Sequence, residues 1–192
     1  MKLQAYKVHV ILVDSNTQNV DIAQRSGLRA HHGNILADYL LEEIDFSLIG
    51  KVIAVTGNDE VNSLAAIRFQ DLLSTEEVYQ LPPTPKREGL KPSEAVSRDL
   101  RGHILFTPFA TFEELTSRFR QGAEIREFDL QQGYTCDTFS EDYGDTAIPL
   151  FVIQGEGRAK VVNCETGPDL KEGEILVCMV GRKRSTPGKV EV

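Results

Sequence analysis

Three short polar segments hold the residue types from which a nucleotide site is built: Asp14-Ser15, Gly33-Asn34-Ile35 and Thr56-Gly57-Asn58. Each closes an apolar run: Val8–Val13, Leu28–His32 and Val52–Val55. Continuous apolar runs of this length suit strands buried on both faces of a parallel sheet, and in such open sheets ligands collect outside the carboxyl ends of the strands. A carboxylate there, such as Asp14, can accept both hydroxyl hydrogens of one ribose. Three polar strand ends side by side make one coherent constellation, expected along one edge of the sheet. Each also has a local explanation. Asp after a strand is a common turn former, and Asn34 and Asn58 suit helix N-caps.

Other chemistry is missing. A Gly-x-Gly-x-x-Gly turn that cradles a pyrophosphate should precede the ribose-binding carboxylate by about 20 residues. Residues 1–13 contain no glycine. We therefore expect the phosphate-binding turn and the strand that carries it to be absent, and binding of NAD(H) or an adenine nucleotide to be weak or absent. His31-His32 cannot chelate one metal from a strand, because neighbouring residues point to opposite faces. His9 and His103 are isolated, and no Gly-x-Ser-x-Gly, His-Glu-x-x-His or Gly-Lys-Ser/Thr motif occurs. Cys136, Cys164 and Cys178 are odd in number, widely spaced and without a Cys-x-x-Cys pair, so they read as reduced thiols. Cys136 beside Asp137 has no histidine near it in sequence to make it a nucleophile. A non-catalytic role is expected, with no metal.

The elements that must position these residues alternate. After the first strand, Asn16 or Thr17 caps a helix through Gln24 that Gly27 ends. A second helix, with Asn34 as its cap, carries Ile35, Leu36, Tyr39, Leu40 and Ile44 at helical spacing. Asp59 and Glu60 open a third, running to about Leu73 and burying Leu64, Ile67 and the Ala65-Ala66 pair; carboxylates in a first turn favour the helix dipole. Val78 to Leu81 is a fourth strand. This βα alternation predicts a parallel sheet. Pro82-Pro83-Thr84-Pro85 then breaks any regular element. The second half predicts a strand at His103–Phe106, a helix opened by the capping box Thr111-Phe112-Glu113-Glu114 with Phe112, Leu115 and Phe119 inward, and strands at Glu124–Leu130, Ile148–Ile153, Ala159–Asn163 and Ile175–Val180. A helical turn over Thr138–Tyr143 ends at Gly144. The expected organisation is an α/β domain over 1–82 with an incomplete parallel sheet, a Pro-rich linker over 83–100, and a smaller α+β domain over 101–192.

The chain has 192 residues and a formal net charge of −8, which argues against a nucleic-acid partner. The basic cluster Arg182-Lys183-Arg184 reads as a solvated tail. No signal-peptide core and no apolar run long enough to span a bilayer occurs, so a cytoplasmic location is expected.

The stretch RSGLRAHHGNILADYLLEEIDFSLIGKVIAVTGNDEVNSLAAIRFQDLL resembles the TrkA-type N-terminal domain, also called the regulator-of-potassium-conductance domain, a Rossmann-like fold. GKVIAVTGNDEVNSLAAIRF followed by VYQL is similar to the cytosolic C-terminal region of bacterial sodium or potassium:proton antiporters, and TFEELTSRF, AIPLFVI and LKEGEILVCMV resemble the segment that follows in those proteins. The likeness covers about residues 5 to 181, and TGNDEVN is its most specific part. It implies a regulatory domain at the cytosolic face of the membrane, acting on an antiporter domain in the same or a separate chain. It also implies a nucleotide pocket whose residues match Asp14, Asn34 and Thr56. The sequence departs from the family in starting inside the first helix of the fold, and in having Asn34 where Asp is common. The alternative is a stand-alone, non-catalytic interaction module that has lost nucleotide binding. With the central strand expected missing, Val8–Val13 and Val52–Val55 are left with open edges. That points to direct pairing of the two or to a homodimer.

Overall fold

Strand and helix alternate along the first 80 residues because the sequence alternates apolar runs with polar, capped turns. The computed structural model describes residues 2–73, 77–84, 102–130, 136–155, 157–168 and 170–181. Residues 85–100 of the expected linker and the Arg182-Lys183-Arg184 cluster lie outside the described residues. A short helix α1 (Lys2–Ala5) precedes β1 (Ile11–Asp14), so the first strand begins three residues later than Val8. Then follow α2 (Thr17–Arg25), β2 (Arg29–His32), α3 (Asp38–Glu43), a 3-10 turn at Phe46–Leu48, β3 (Val52–Ala54), α4 (Asp59–Gln70) and β4 (Val78–Gln80). The second half contributes β5 (His103–Ile104), α5 (Phe112–Arg120), β6 (Glu124–Asp129), α6 (Cys136–Tyr143), β7 (Ala147–Ile153), β8 (Ala159–Val161) and β9 (Ile175–Val180).

The helix starts follow capping chemistry. Asn16 Oδ1 accepts the Gln18 N–H at 2.9 Å, and Gly27 at φ +82° closes the far end of α2. Val20 and Ala23 of α2 pack on Ala30, Leu12 and Leu28, forming a small core of their own. Asn58 Oδ1 accepts the Val61 N–H at 3.0 Å and starts α4. The buried stripe of α4 is Asn62, Ala65, Ala66 and Phe69, whereas Leu64 and Ile67, expected inside, are 52% and 37% exposed. The small alanines let the helix lie close on β3 and β4, and the larger side chains are turned outward by the same 3.6-residue period. Asn34 does not cap α3 as expected: its Oδ1 takes the Leu36 N–H at 2.9 Å in a local turn, and α3 starts only after Ala37, which makes no side-chain cap bond.

The parallel sheet is in two pieces. β1 and β2 pair in register from Ile11↔Arg29 to Asp14↔His32. β3, β4 and β5 form a separate three-stranded parallel sheet. Among the described residues β1 and β3 do not pair, so the α/β region is an incomplete Rossmann-like sheet. β5 joins this sheet, running parallel to β4, rather than the antiparallel one. That second sheet has the order β6-β9-β7-β8. The two sheets meet through backbone: Phe106 N–H donates to Val162 O at 2.8 Å, and Cys164 N–H donates to Ile104 O at 2.9 Å. One core of Tyr79, Leu81, Leu105, Phe106, Ile148, Leu150, Val161 and Met179 spans that junction. On α5 only Leu115 packs against this core; Phe112 and Phe119, expected inward, are 41% and 51% exposed. Phe128, Phe139 and Tyr143 form an aromatic cluster that seats α6 on the antiparallel sheet.

Candidate functional site

The carboxyl end of β1 is built around Asp14. Its Oδ1 accepts the Asn16 N–H at 2.8 Å and its Oδ2 accepts Asn19 Nδ2–H at 2.8 Å, so both oxygens are oriented by α2 and its entry turn. Its carbonyl accepts the Gly33 N–H at 3.0 Å, which extends the β1–β2 ladder by one rung. Ser15 is exposed, and its carbonyl accepts from His32 Nε2 at 3.0 Å; since a carbonyl only accepts, Nε2 carries the proton. The ends of β1 and β2 are thus tied together. Gly33 is closely enclosed: a Cβ there would lie 2.5 Å from Tyr39 Oη and 2.7 Å from Leu40 Cδ1, two side-chain ends that would have to shift.

Beyond Gly33, Asn34 is exposed, while Ile35 and Leu36 pack against the cluster of Ala54, Ala65, Ala66, Phe69 and Val78. Arg68 of α4 fastens this loop, donating to Leu36 O at 2.5 Å and to Asp38 Oδ1 at 2.6 Å. The turn after β3 is held by the last residue of TGNDEVN, to which sequence spacing gave no structural role. Asn62, 1% exposed, accepts the Thr56 N–H at 2.9 Å through Oδ1 and donates from Nδ2 to Thr56 O at 2.9 Å. The Thr56 hydroxyl accepts the Asn58 N–H at 3.2 Å. Thr56, Gly57 and Asn58 are solvent-facing, and the ring of Phe112 from α5 lies directly on Gly57. The structure therefore brings Asp14 and Ser15 together with the Gly33-Asn34 end, and connects the 34–38 loop to α4. Among the described residues no hydrogen bond joins Asp14 to Thr56.

Residues 1–81 match the TrkA-N domain family. This places Asp14, Asn34 and Thr56 inside the matched stretch. No curated protein matches the chain. Among solved structures, a crystal structure of the GsuK RCK domain is similar with a TM-score of 0.29 and 8% identity, covering 90% of this chain and 43% of that one. The chain thus spans less than half the length of that structure. The matched stretch ends within the shared core, one residue past β4.

His103, isolated in sequence, acquires a partner from 62 residues away. Its Nδ1–H donates to Glu165 Oε2 at 2.7 Å, with the Tyr79 ring 5.8 Å from its own. Sequence reading gave no signal for this pair, since nothing local links the two positions. His31 and His32 diverge: His32 faces Ser15, whereas His31 Nε2 is a buried atom without a hydrogen-bond partner. Among the described residues no group of three or more His, Cys, Asp or Glu side chains is placed to hold a metal ion. Nor is any described helix long and apolar enough to cross a membrane. Burial pushes the Cys178 thiol up to about 12, and burial with the neighbouring Glu165 charge raises Cys164.

Proposed function

We propose that this chain is the regulatory, non-catalytic part of a monovalent cation:proton antiporter, sensing a nucleotide or a partner from the cytoplasmic side to control ion transport. The observation that carries the reading is the TrkA-N match over residues 1–81 coinciding with polar strand ends whose backbone is already fixed by capping bonds. Such preorganised ends bind a ligand without first paying to order themselves. The partners proposed are an antiporter membrane domain, in the same or a separate chain, and a second copy of this chain.

The ligand class proposed is NAD(H) or an adenine nucleotide, with Asp14 and Ser15 on the ribose side and Asn34, Ile35, Thr56, Gly57 and Asn58 around the remainder. Residues 1–13 contain no glycine to cradle a pyrophosphate, so this chain alone is expected to bind dinucleotides weakly. Calorimetry with NAD, NADH, ATP and AMP tests this directly. Millimolar-range binding that D14A abolishes supports the reading. A dissociation constant near 1 μM, roughly −8 kcal/mol, would show that the pyrophosphate is held by groups not identified above. A specific observation favours the alternative of an interaction module without nucleotide: both Asp14 carboxylate oxygens already accept local hydrogen bonds. Absence of any nucleotide heat would select that alternative. Membrane-spanning helices encoded in the same frame or an adjacent gene would support the antiporter assignment, and their absence would remove it.

A further inference from the structure

We infer that Phe112, brought to the TrkA-N region by α5 from the second half of the chain, is the platform on which the base of a bound purine nucleotide stacks. The inference rests on the nucleotide reading above and adds to it a residue outside the family match. A Cβ at Gly57 would lie 3.0 and 3.1 Å from Cδ1 and Cε1 of Phe112, so the ring sits on bare backbone in the middle of the Thr56-Gly57-Asn58 turn. It is 41% exposed there, and Phe109, three residues earlier, is 81% exposed. An outward phenylalanine beside a strand-end turn forgoes the burial that a purely packing role would give it.

Charge decides which part of a nucleotide can lie against this ring. Asp59 and Glu60 occupy the first turn of α4, which opens right after the turn, and Glu113 and Glu114 occupy the first turn of α5. Asp59 Oδ2 is already bound to the Thr84 N–H at 2.9 Å. Glu114 is paired with Arg118 at 2.6 Å, but the carboxylates of Asp59, Glu60 and Glu113 offset the pull of the two helix N-termini on a phosphate. A neutral, planar base is accepted, because every base offers a π-face to an aromatic ring. The ribose is left toward Asp14 and the phosphate to solvent, away from these carboxylates.

The test is ligand-observed NMR on the 192-residue chain with AMP and with ribose 5-phosphate, which lacks the base. Binding should move the adenine H2 and H8 signals upfield through the ring current of Phe112. F112A and F112L should weaken AMP about tenfold, in the range that base–aromatic stacking supplies, and abolish that upfield shift. F112W should retain both, and ribose 5-phosphate should bind all four proteins alike. Leucine keeps an apolar side chain on Gly57, so F112L separates stacking from packing. If F112L binds AMP like the wild type with the same shift while D14N weakens it, the stacking role is wrong and the nucleotide site stands. If F112L weakens both ligands equally, Phe112 is a packing residue and the inference falls. If the wild type binds no AMP at millimolar concentration, both readings fall together.

Discussion

At the scale of single residues, the candidate site depends on side chains that bond to backbone rather than on charged groups aimed at a ligand. Asn62 satisfies the N–H and the carbonyl of Thr56 at once, from a position 1% exposed. Asn62→Ala leaves both groups to compete for water at a turn that is partly accessible. A loss of about 2 kcal/mol is expected, within the usual penalty for unmade bonds, together with weakened AMP binding; urea unfolding of the variant measures the first part. Asn62 closes the TGNDEVN motif, but its inward role was not legible, because an asparagine inside a helix reads as a surface residue and only the closeness of α4 to β3 turns it inward. Asp14 and Thr56 were legible, since their positions follow from where the apolar runs stop. Cys178 offers a second prediction at this scale. Its folded thiol keeps its proton up to about 12, against about 9.0 for an ordinary thiol. The unfolded chain therefore binds fewer protons at this thiol above pH 9, so its contribution to stability is level below that pH and falls by up to about 1.4 kcal/mol per pH unit between about 9 and 12. Unfolding midpoints from pH 8 to 11 should fall less steeply in C178A than in the wild type. Parallel slopes would refute the shift.

At the scale of elements, hydrophobic periodicity located nearly every strand and helix but misassigned faces. In α4 the sequence LAAI looks like one apolar patch; the structure buries Ala65 and Ala66 and exposes Leu64 and Ile67. A four-residue patch wraps most of a helical turn, so only the neighbours decide which part is covered. The consequence is an inverted pattern of tolerance. Leu64→Ser should change stability by less than about 0.5 kcal/mol, as at ordinary surface positions. Ala66→Leu, at 0% exposure, should cost about 1–3 kcal/mol by forcing α4 away from β3 and β4. Thermal unfolding of the two variants checks both numbers, and equal losses would contradict the observed face. In α5 the same reasoning failed for Phe112 and Phe119, because the helix rests on the core through Leu115 and meets the turn after β3 through Phe112. Partners that lie across the junction leave no trace in local spacing. Neither does the parallel pairing of His103–Ile104 with β4, which joins two segments separated by more than twenty residues.

At the scale of the whole molecule, the consequence of two half-sheets is association. β1 pairs only with β2, and β3 only with β4, among the described strands. The four residues of β1 are all half-buried, and Val52 and Ile53 of β3 are too. Each open edge presents N–H and C=O groups beside apolar side chains, the combination that recruits another strand. The expectation that the two strands would close up and pair directly is not met, and the reason lies in their supports. β1 is held by α2 and a core of its own, and β3 by α4 and the core it shares with β4. Moving either strand across the gap would tear it from its helix. Exchange between two copies needs no such movement. We therefore expect a concentration-dependent homodimer, seen as a mass near twice 21.4 kDa by light scattering at high concentration and falling on dilution. Amide exchange at Ile11–Asp14 should slow as the dimer forms, because an edge amide becomes a ladder amide, while exchange in β9, already paired on both sides, should not respond. A monomer at every concentration with strong protection of Ile11–Asp14 would mean that the edge is satisfied within one copy, and would exclude exchange as its partner.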